Sequence, residues 1–147
     1  MEKIFIKQLT KEILEKNINR FIDILSDIPD EYWKSEHFLL ELPSKWSFSL
    51  YATNNLEQII GYIIASYKDF YNSIHINKFM IDKRFRGQNI GTLMLEHFEN
   101  KCKTEKKNLI TLKVKKSNYS AICFYLKHNF KIHSEHSDYL LMKKDLG

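Results

Sequence analysis

The stretch Phe85-Arg86-Gly87-Gln88-Asn89-Ile90-Gly91-Thr92 decides the fold of this chain. It follows a strand-like apolar run at 74–81 and precedes a helix-like run that begins at Ile90. A glycine-containing turn between a strand and a helix leaves several backbone N–H groups without intrahelical partners. These groups point the same way, at the positive end of the helix dipole, and form a cradle suited to phosphate. Arg86 at the mouth of the cradle adds a mobile cation.

Two blocks of the sequence carry a family resemblance, which covers about residues 46 to 144. Arg86-x-x-Asn89-x-Gly91 resembles the pyrophosphate loop of the GNAT superfamily of N-acetyltransferases, Arg or Gln-x-x-Gly-x-Gly or Ala. The segment 118–130 resembles the same family's Asn-x-x-Ala-x-x-x-Tyr-x-x-x-Gly-Phe segment. Asn89 and Asn129 stand where the family has glycine. Asparagine tolerates left-handed backbone angles better than most residues, so the chemistry of the loop is retained.

The length of 147 residues predicts a single domain over residues 1–147, and the order of elements predicted from apolar periodicity is that of an α/β fold. The predicted order is strand, two helices, three strands, helix, strand, helix and two strands. The segment 47–67 favours an antiparallel hairpin, and 74–114 favours a parallel crossover. We therefore expect a mixed, mostly antiparallel central sheet with helices on both faces. The resemblance further implies that two central parallel strands splay apart and admit the pantetheine arm of the cofactor.

Pattern and turn signals place the predicted elements along the chain. Turns or breaks are expected at Pro29-Asp30, Asn54-Asn55 and Tyr71-Asn72. The predicted strands are 4–6, 47–52, 58–67, 74–81, 109–114, 130–133 and 139–142, and the predicted helices cover 14–25, 31–40, a run from 90 and 118–127.

The resemblance implies that acetyl-CoA is the cosubstrate. Its pyrophosphate is expected on the backbone of the cradle, and its pantetheine along the preceding strand end, paired like an added strand. Asn118 either contacts the pantetheine or caps the following helix. The implied cofactor-binding residues are Phe79, Met80, Ile81, Arg86, Gly87, Gln88, Asn89, Ile90, Gly91, Thr92, Asn118 and Tyr125.

Acyl transfer to an amine needs a positioned thioester, a neutral amine and a donor for the leaving thiolate. Tyr125 matches the family's general acid, and the reference pKa of a phenol, about 10, suits a proton donor. Side-chain alternation predicts that His75 and Asn77 share one strand face with Phe79. We therefore consider His75 a base acting through water and Asn77 a residue that positions this water.

The segment 27–38 mixes acids with aromatic residues around the expected helix break. In the resembling family this region forms one wall of the acceptor site. Its acids would attract a cationic amine, and its aromatic rings would stack on it. The candidate substrate residues are Glu31, Tyr32 and Trp33, with Tyr139 as a further wall residue. The alternative is an amphipathic helix with a solvated acidic edge.

Composition is that of an ordinary soluble globular domain, with 44% hydrophobic and 28% charged residues. No apolar run approaches the roughly 20 residues that span a bilayer, and Met1-Glu2-Lys3-Ile4 lacks a signal-peptide pattern. Cys102 and Cys123 lack metal-ligand spacing and read as packing residues in a reducing compartment. We expect a cytoplasmic protein, monomeric or homodimeric, with no membrane partner and no metal.

The net charge of +5 fits either a solvated surface or a basic rim that captures an anionic ligand. No nucleic-acid motif accompanies the lysines, so no nucleic-acid partner is expected. The sequence as a whole predicts an acetyl-CoA-dependent N-acetyltransferase whose acceptor is a small-molecule amine or a protein N-terminus. The alternative is a non-catalytic acyl-CoA-binding regulatory module.

Overall fold

The computed structural model describes residues 3–28, 31–68 and 72–147. Within these residues the chain forms seven strands and six helices, and a 3-10 turn at Lys83–Phe85. The elements in chain order are β1 (Phe5–Gln8), α1 (Lys11–Lys16), α2 (Ile18–Leu25), α3 (Ser35–Leu39), α4 (Lys45–Phe48), β2 (Leu50–Thr53), β3 (Ile59–Lys68), β4 (Ser73–Ile81), α5 (Ile90–Thr104), β5 (Leu109–Lys115), α6 (Tyr119–Lys127), β6 (Lys131–Glu135) and β7 (Tyr139–Asp145).

The strands form one sheet in the order β1-β2-β3-β4-β5-β7-β6. Neighbouring strands are antiparallel except for β4 and β5, which are parallel because α5 crosses between them. The predicted mixed, mostly antiparallel α/β sheet is therefore confirmed.

Two apolar cores cover opposite faces of the sheet. The main core joins the strands to α5 and α6 through residues such as Met94, Phe98 and Tyr125. The second core joins β2, β3 and β4 to α1, α2 and α3 through residues such as Phe21, Phe38 and Tyr62. Helices therefore lie on both faces of the sheet, as predicted.

Three predicted elements differ from the structure. The predicted helix 14–25 is divided at Asn17, whose side-chain amide donates to the Ile13 carbonyl at 2.8 Å. Of the predicted helix 31–40, only Ser35–Leu39 is helical. The predicted strand 47–52 begins at Leu50, because α4 occupies Lys45–Phe48. The predicted break at Pro29-Asp30 lies outside the described residues, as does Tyr71 of the predicted turn.

Buried contacts explain why α4 replaces the start of a strand. Lys45 is 1% exposed, and its ammonium donates to the carbonyls of Phe38 and Leu40. Phe48, at the end of the helix, is buried in the main core. These tertiary contacts outweigh the β-like local sequence. None of the helices in the described ranges is long and apolar enough to cross a membrane.

Candidate active site

A gap opens between the two parallel strands in the middle of the sheet. The pairing of β4 with β5 ends at Ile76 opposite Leu112. Beyond that point β4 continues against β3 as far as Ile81, and β5 continues against β7 as far as Lys115. The facing edges at 77–81 and 113–115 are therefore unpaired with each other, and both border a cavity of about 480 Å³. The splay implied by the family resemblance is present.

The phosphate cradle closes one end of this cavity. Gly87 and Asn89 have φ angles of +79° and +63°, and α5 begins at Ile90. Leu93 is the first residue of this turn whose N–H donates within the helix, to the Asn89 carbonyl at 3.0 Å. Among the described residues, no group accepts from the N–H groups of 87–92. These free donors at the start of a 15-residue helix fit a pyrophosphate.

The asparagines that replace family glycines adopt the expected conformation. Asn89 has φ of +63° and Asn129 has φ of +71°. Both lie in the left-handed region, in which asparagine is one of the few tolerated side-chain residues. Phe124 packs beside the same loop, because a Cβ added to Gly91 would lie 3.3 Å from its Cε1 atom.

The strand end predicted to hold the pantetheine borders the cavity. Phe79, Met80 and Ile81 all line it, and Phe79 packs edge-on against Phe124 with ring centroids 5.8 Å apart. Met80 contributes its side chain to the second core. At these residues the backbone edge faces the cavity while the side chains of Phe79 and Met80 pack against the apolar cores.

Tyr125 reaches the cavity from α6. Its ring contacts the rings of Phe79, Phe124 and Phe130, and only 8% of the residue is exposed. Burial, together with the nearby charge of Glu31, raises the pKa of the Tyr125 hydroxyl well above its ordinary value. The phenol is therefore protonated at neutral pH. No group in the described ranges hydrogen-bonds to this hydroxyl, so its proton is available to a ligand.

Asn118 occupies the N-cap of α6. Its side-chain oxygen accepts from the Ala121 N–H at 3.2 Å, which confirms the predicted capping role. Asn118 also lines the cavity, so the second predicted role, a contact with pantetheine, stays a prediction.

The sequence matches the model of the acetyltransferase (GNAT) family over residues 18–130, well over half of the chain. The chain belongs to this family. It is therefore an acetyltransferase of the GNAT family with acetyl-CoA as cosubstrate, as the sequence predicted. No curated protein matches the sequence significantly.

Solved structures share the fold of this GNAT protein. Ard1 from Thermoplasma volcanium is 23% identical, with 97% of each chain covered and a TM-score of 0.83. The ribosomal-protein-S18-alanine N-acetyltransferase from Escherichia coli is 15% identical, with 99% of this chain and 95% of that chain covered and a TM-score of 0.82. PaiA N-acetyltransferase from Thermoplasma acidophilum, solved with coenzyme A, is 20% identical, with 97% and 99% covered and a TM-score of 0.79. Each likeness is one of fold.

Arg86 of this GNAT protein is not the mobile cation that the sequence suggested. Its Nη1 and Nη2 atoms donate to the two carboxylate oxygens of Asp27 at 2.6 and 3.2 Å, and its Nε donates to the Ile81 carbonyl at 3.0 Å. The guanidinium lines the cavity while it is bound to the end of α2. Gln88, also predicted to bind the cofactor, is exposed and is not among the residues that line the cavity.

A β-bulge overturns the predicted face of His75. The register between β3 and β4 shifts between Ile64 and Ala65, which leaves Asn77 as the extra residue on β4. Ile76 and Phe79 consequently both face the main core, so His75 and Phe79 point to opposite faces. Alternation through the whole strand was the wrong assumption. His75 is not among the residues lining the cavity, whereas Asn77 is.

The surroundings of His75 and Asn77 differ accordingly. His75 Nδ1 lies 2.8 Å from the Thr111 hydroxyl. Burial, followed by the charges of Lys68 and Lys113, lowers the pKa of His75 to about 4. Asn77 accepts from the Ser66 hydroxyl at 2.8 Å through its side-chain oxygen. None of the described residues accepts from its amide nitrogen, which can therefore donate to a water. The geometry therefore favours Asn77 over His75 at the reacting centre.

The three candidate substrate residues lie in different surroundings. Glu31 lines the cavity and forms an ion pair with Lys78. Trp33 packs edge-on against Phe38, with the Lys78 ammonium 5.2 Å from its ring, and belongs mainly to the second core. Tyr32 is 63% exposed and does not line the cavity.

Sequence reasoning missed His128, which joins α6 to the cradle. Its Nδ1 lies 2.8 Å from the Phe124 carbonyl, which can only accept, so Nδ1 carries a proton. In the neutral ring Nε2 then accepts from the Thr92 hydroxyl at 3.0 Å. Both residues line the cavity, but 36 positions separate them in sequence, and no local pattern signals the pair.

Cavity-lining residues include no thiol, and no group of three or more His, Cys, Asp or Glu side chains in the described ranges could hold a metal ion. Burial raises the pKa of Cys102 to about 12, so this thiol is inert at neutral pH. Cys123 is exposed on α6.

Proposed function

We propose that this GNAT protein transfers the acetyl group of acetyl-CoA to a primary amine by direct attack, without a covalent enzyme intermediate. The observation that carries the proposal is the gap between β4 and β5. One cavity is bordered there by unpaired strand edges, by the free N–H groups of 87–92 and by the protonated Tyr125 hydroxyl. These are the parts that hold a thioester, bind its pyrophosphate and protonate its leaving group.

Acetyl-CoA supplies an activated acetyl group as a thioester. The acceptor nitrogen forms a bond to the acetyl carbon while the carbon–sulfur bond breaks. Tyr125 donates its hydroxyl proton to the departing thiolate, and the proton lost by the amine passes to water and restores the phenol. The Asn77 amide nitrogen positions that water, because the side-chain oxygen of Asn77 already accepts from Ser66. No cysteine is needed as a nucleophile.

The acceptor is a small-molecule amine or a protein N-terminus. The fold likeness to the ribosomal-protein-S18-alanine N-acetyltransferase supports the second possibility. Glu31 and Tyr32 remain the proposed acceptor-facing residues on the side of α2 and α3, and Tyr139 remains the proposed wall residue on the side of β7. Trp33 packs against the Lys78 ammonium that pairs with Glu31, and so helps to hold Glu31 in place.

The test is thiol release from acetyl-CoA in the presence of a panel of amines, with the acetylated product identified by mass. Calorimetry with CoA alone provides the parallel binding measurement. Binding with amine-dependent thiol release supports the transferase. Binding without release by any amine supports the alternative, a non-catalytic acyl-CoA-binding module. Absence of CoA binding contradicts both.

A further inference from the structure

Two of the acids expected to attract a cationic acceptor already form ion pairs. Asp27 is paired with Arg86, and Glu31 is paired with Lys78. Glu31 and Lys78 have side chains only 19% and 12% exposed, so their charges face each other rather than solvent. Of the described residues lining the cavity, Glu31 is the only carboxylate. In the described part of the cavity lining, therefore, no unpaired carboxylate faces an incoming amine.

Lys113 lies at the opposite edge of the gap, and none of the carboxylates in the described ranges forms an ion pair with it. It is the first residue of β5 after the last pair with β4. Its neighbours Leu112 and Val114 pack in the main core, so the Lys113 side chain projects from the other face of the sheet. It is exposed, lines the cavity, and its ammonium lies 5.1 Å from the centre of the Tyr139 ring. Tyr125 reaches the cavity from the main-core face, so Lys113 lies at the opposite mouth.

The sheet face around Lys113 is basic. Lys143 lies directly opposite Thr111, two residues before Lys113, and Thr111 in turn contacts His75. Tyr67 packs against the main core, so the next residue of β3, Lys68, also projects from this face. Neither β4 nor β5 contains a carboxylate. The described acids on and beside β6 and β7 are Glu135, which is paired with Lys116, Asp138 in the β6–β7 turn, and Asp145 at the far end of β7.

We infer that the acceptor carries a carboxylate close to its reactive amine, and that Lys113 binds this carboxylate at the mouth of the gap. The inference rests on the proposed function and names its substrate class. A polycationic acceptor would place like charges together, which disfavours it. By pairing with this carboxylate, Lys113 also offsets a negative charge that would otherwise raise the pKa of the reacting ammonium.

The same carboxylate chemistry is offered by an acidic peptide N-terminus and by a small acidic amine. The experiment therefore has two arms. Tripeptides with alanine first, followed by Glu-Glu, Gln-Gln or Lys-Lys, form the peptide arm. Glutamate, glutamine and spermidine form the small-molecule arm. In at least one arm we expect kcat/KM for the acidic member to exceed that of its amide counterpart about tenfold, the effect of one well-placed ion pair.

Two variants with the same change in net charge make the test specific. Lys113→Glu is expected to reverse the preference, so that the cationic member of the arm becomes the better acceptor. Lys103 lies on the exposed surface of α5, on the other side of the sheet. The control variant Lys103→Glu is therefore expected to leave the preference unchanged. CoA affinity and the circular dichroism spectrum report whether Lys113→Glu retains its fold.

Equal or better use of the neutral and cationic acceptors by the wild type overturns the inference and leaves the proposed function standing. An unchanged preference in folded Lys113→Glu overturns it as well. Thiol release with no acceptor, despite CoA binding, overturns the inference together with the proposed transferase activity.

Discussion

Arg86 and Asp27 form a two-point ion pair, with Nη1–Oδ2 and Nη2–Oδ1 distances of 2.6 and 3.2 Å. The pair joins the cofactor loop to the end of α2, which leads into the proposed acceptor wall. A pyrophosphate on the cradle competes with the Asp27 carboxylate for the same guanidinium. The two halves of the site are therefore electrostatically linked before any ligand arrives.

Asp27→Asn is predicted to tighten CoA binding by roughly two- to fivefold. This factor corresponds to the free energy of one partly exposed ion pair. The reason is that Arg86 no longer has to leave a carboxylate in order to contact phosphate. Isothermal titration calorimetry at low and moderate salt measures the change. Weaker binding in Asp27→Asn would mean that the pair holds the loop in its binding shape instead of competing with the ligand.

Tyr125→Phe is predicted to lower kcat on the order of 100-fold while the Kd for acetyl-CoA stays unchanged. Phenylalanine retains the ring contacts with Phe79, Phe124 and Phe130 and removes only the hydroxyl. Steady-state kinetics with the best acceptor, beside calorimetry on the same preparation, separates the two effects. Full turnover in Tyr125→Phe, with the chemical step rate-limiting, would return Tyr125 to a packing role.

His75→Gln is predicted to leave the pH–rate profile unchanged between pH 6 and 8, because the pKa of His75 is lowered to about 4. Stability should respond instead. His75 takes up its proton near pH 6.5 in the unfolded chain and only near pH 4 in the native protein. The stability of the native state relative to the unfolded state is therefore undiminished by His75 above pH 6.5 and falls as the pH drops toward 4.

The measurement is the midpoint of urea unfolding of wild type and His75→Gln from pH 4 to 8. The variant should lose less stability than the wild type toward the acid end. Removal of the rising limb of the pH–rate profile by His75→Gln would restore His75 as the base that the sequence suggested.

Lys45→Met is predicted to destabilise the protein by about 1–3 kcal/mol at pH 7, because the carbonyls of Phe38 and Leu40 lose their donor. Burial lowers the pKa of Lys45 to about 8, whereas an unfolded lysine titrates near 10.4. The unfolded state therefore binds more protons between these values, and the wild type gains stability as the pH rises through them.

Unfolding curves of the wild type and Lys45→Met at pH 7, 8, 9 and 10 isolate the titration of Lys45, because the other titrating groups are common to both proteins. The difference in the free energy of unfolding between wild type and Lys45→Met should widen with pH. A constant difference would show that native Lys45 keeps its proton throughout.

Local sequence was sufficient for the cradle and for the position of Tyr125 on its helix. Gly87, Asn89 and Gly91 lie within one turn, so their spacing and the flanking strand and helix predict free N–H groups directly. The left-handed angles of Asn89 and Asn129 were predictable for the same reason, because backbone preference belongs to the residue itself. Tyr125 lies two turns into a helix whose cap, Asn118, is also visible in the sequence.

The contacts that were missed join distant parts of the chain. Asp27 and Arg86 are 59 positions apart, and Thr92 and His128 are 36 apart, so neither pair leaves a periodic signal. The bulge at Asn77 is a property of the pairing between β3 and β4, and it reversed the predicted face of His75. The pairing of Glu31 with Lys78 likewise depends on the fold and changes the expected charge of the acceptor wall.

The structure of the complex with acetyl-CoA tests the central claim most directly. We predict that the pyrophosphate oxygens accept hydrogen bonds from the N–H groups of residues 87–92. We also predict that the pantetheine lies between β4 and β5 and that the thioester sulfur is within hydrogen-bond reach of the Tyr125 hydroxyl. A pyrophosphate bound away from the cradle, or a thioester outside the gap, would contradict the claim.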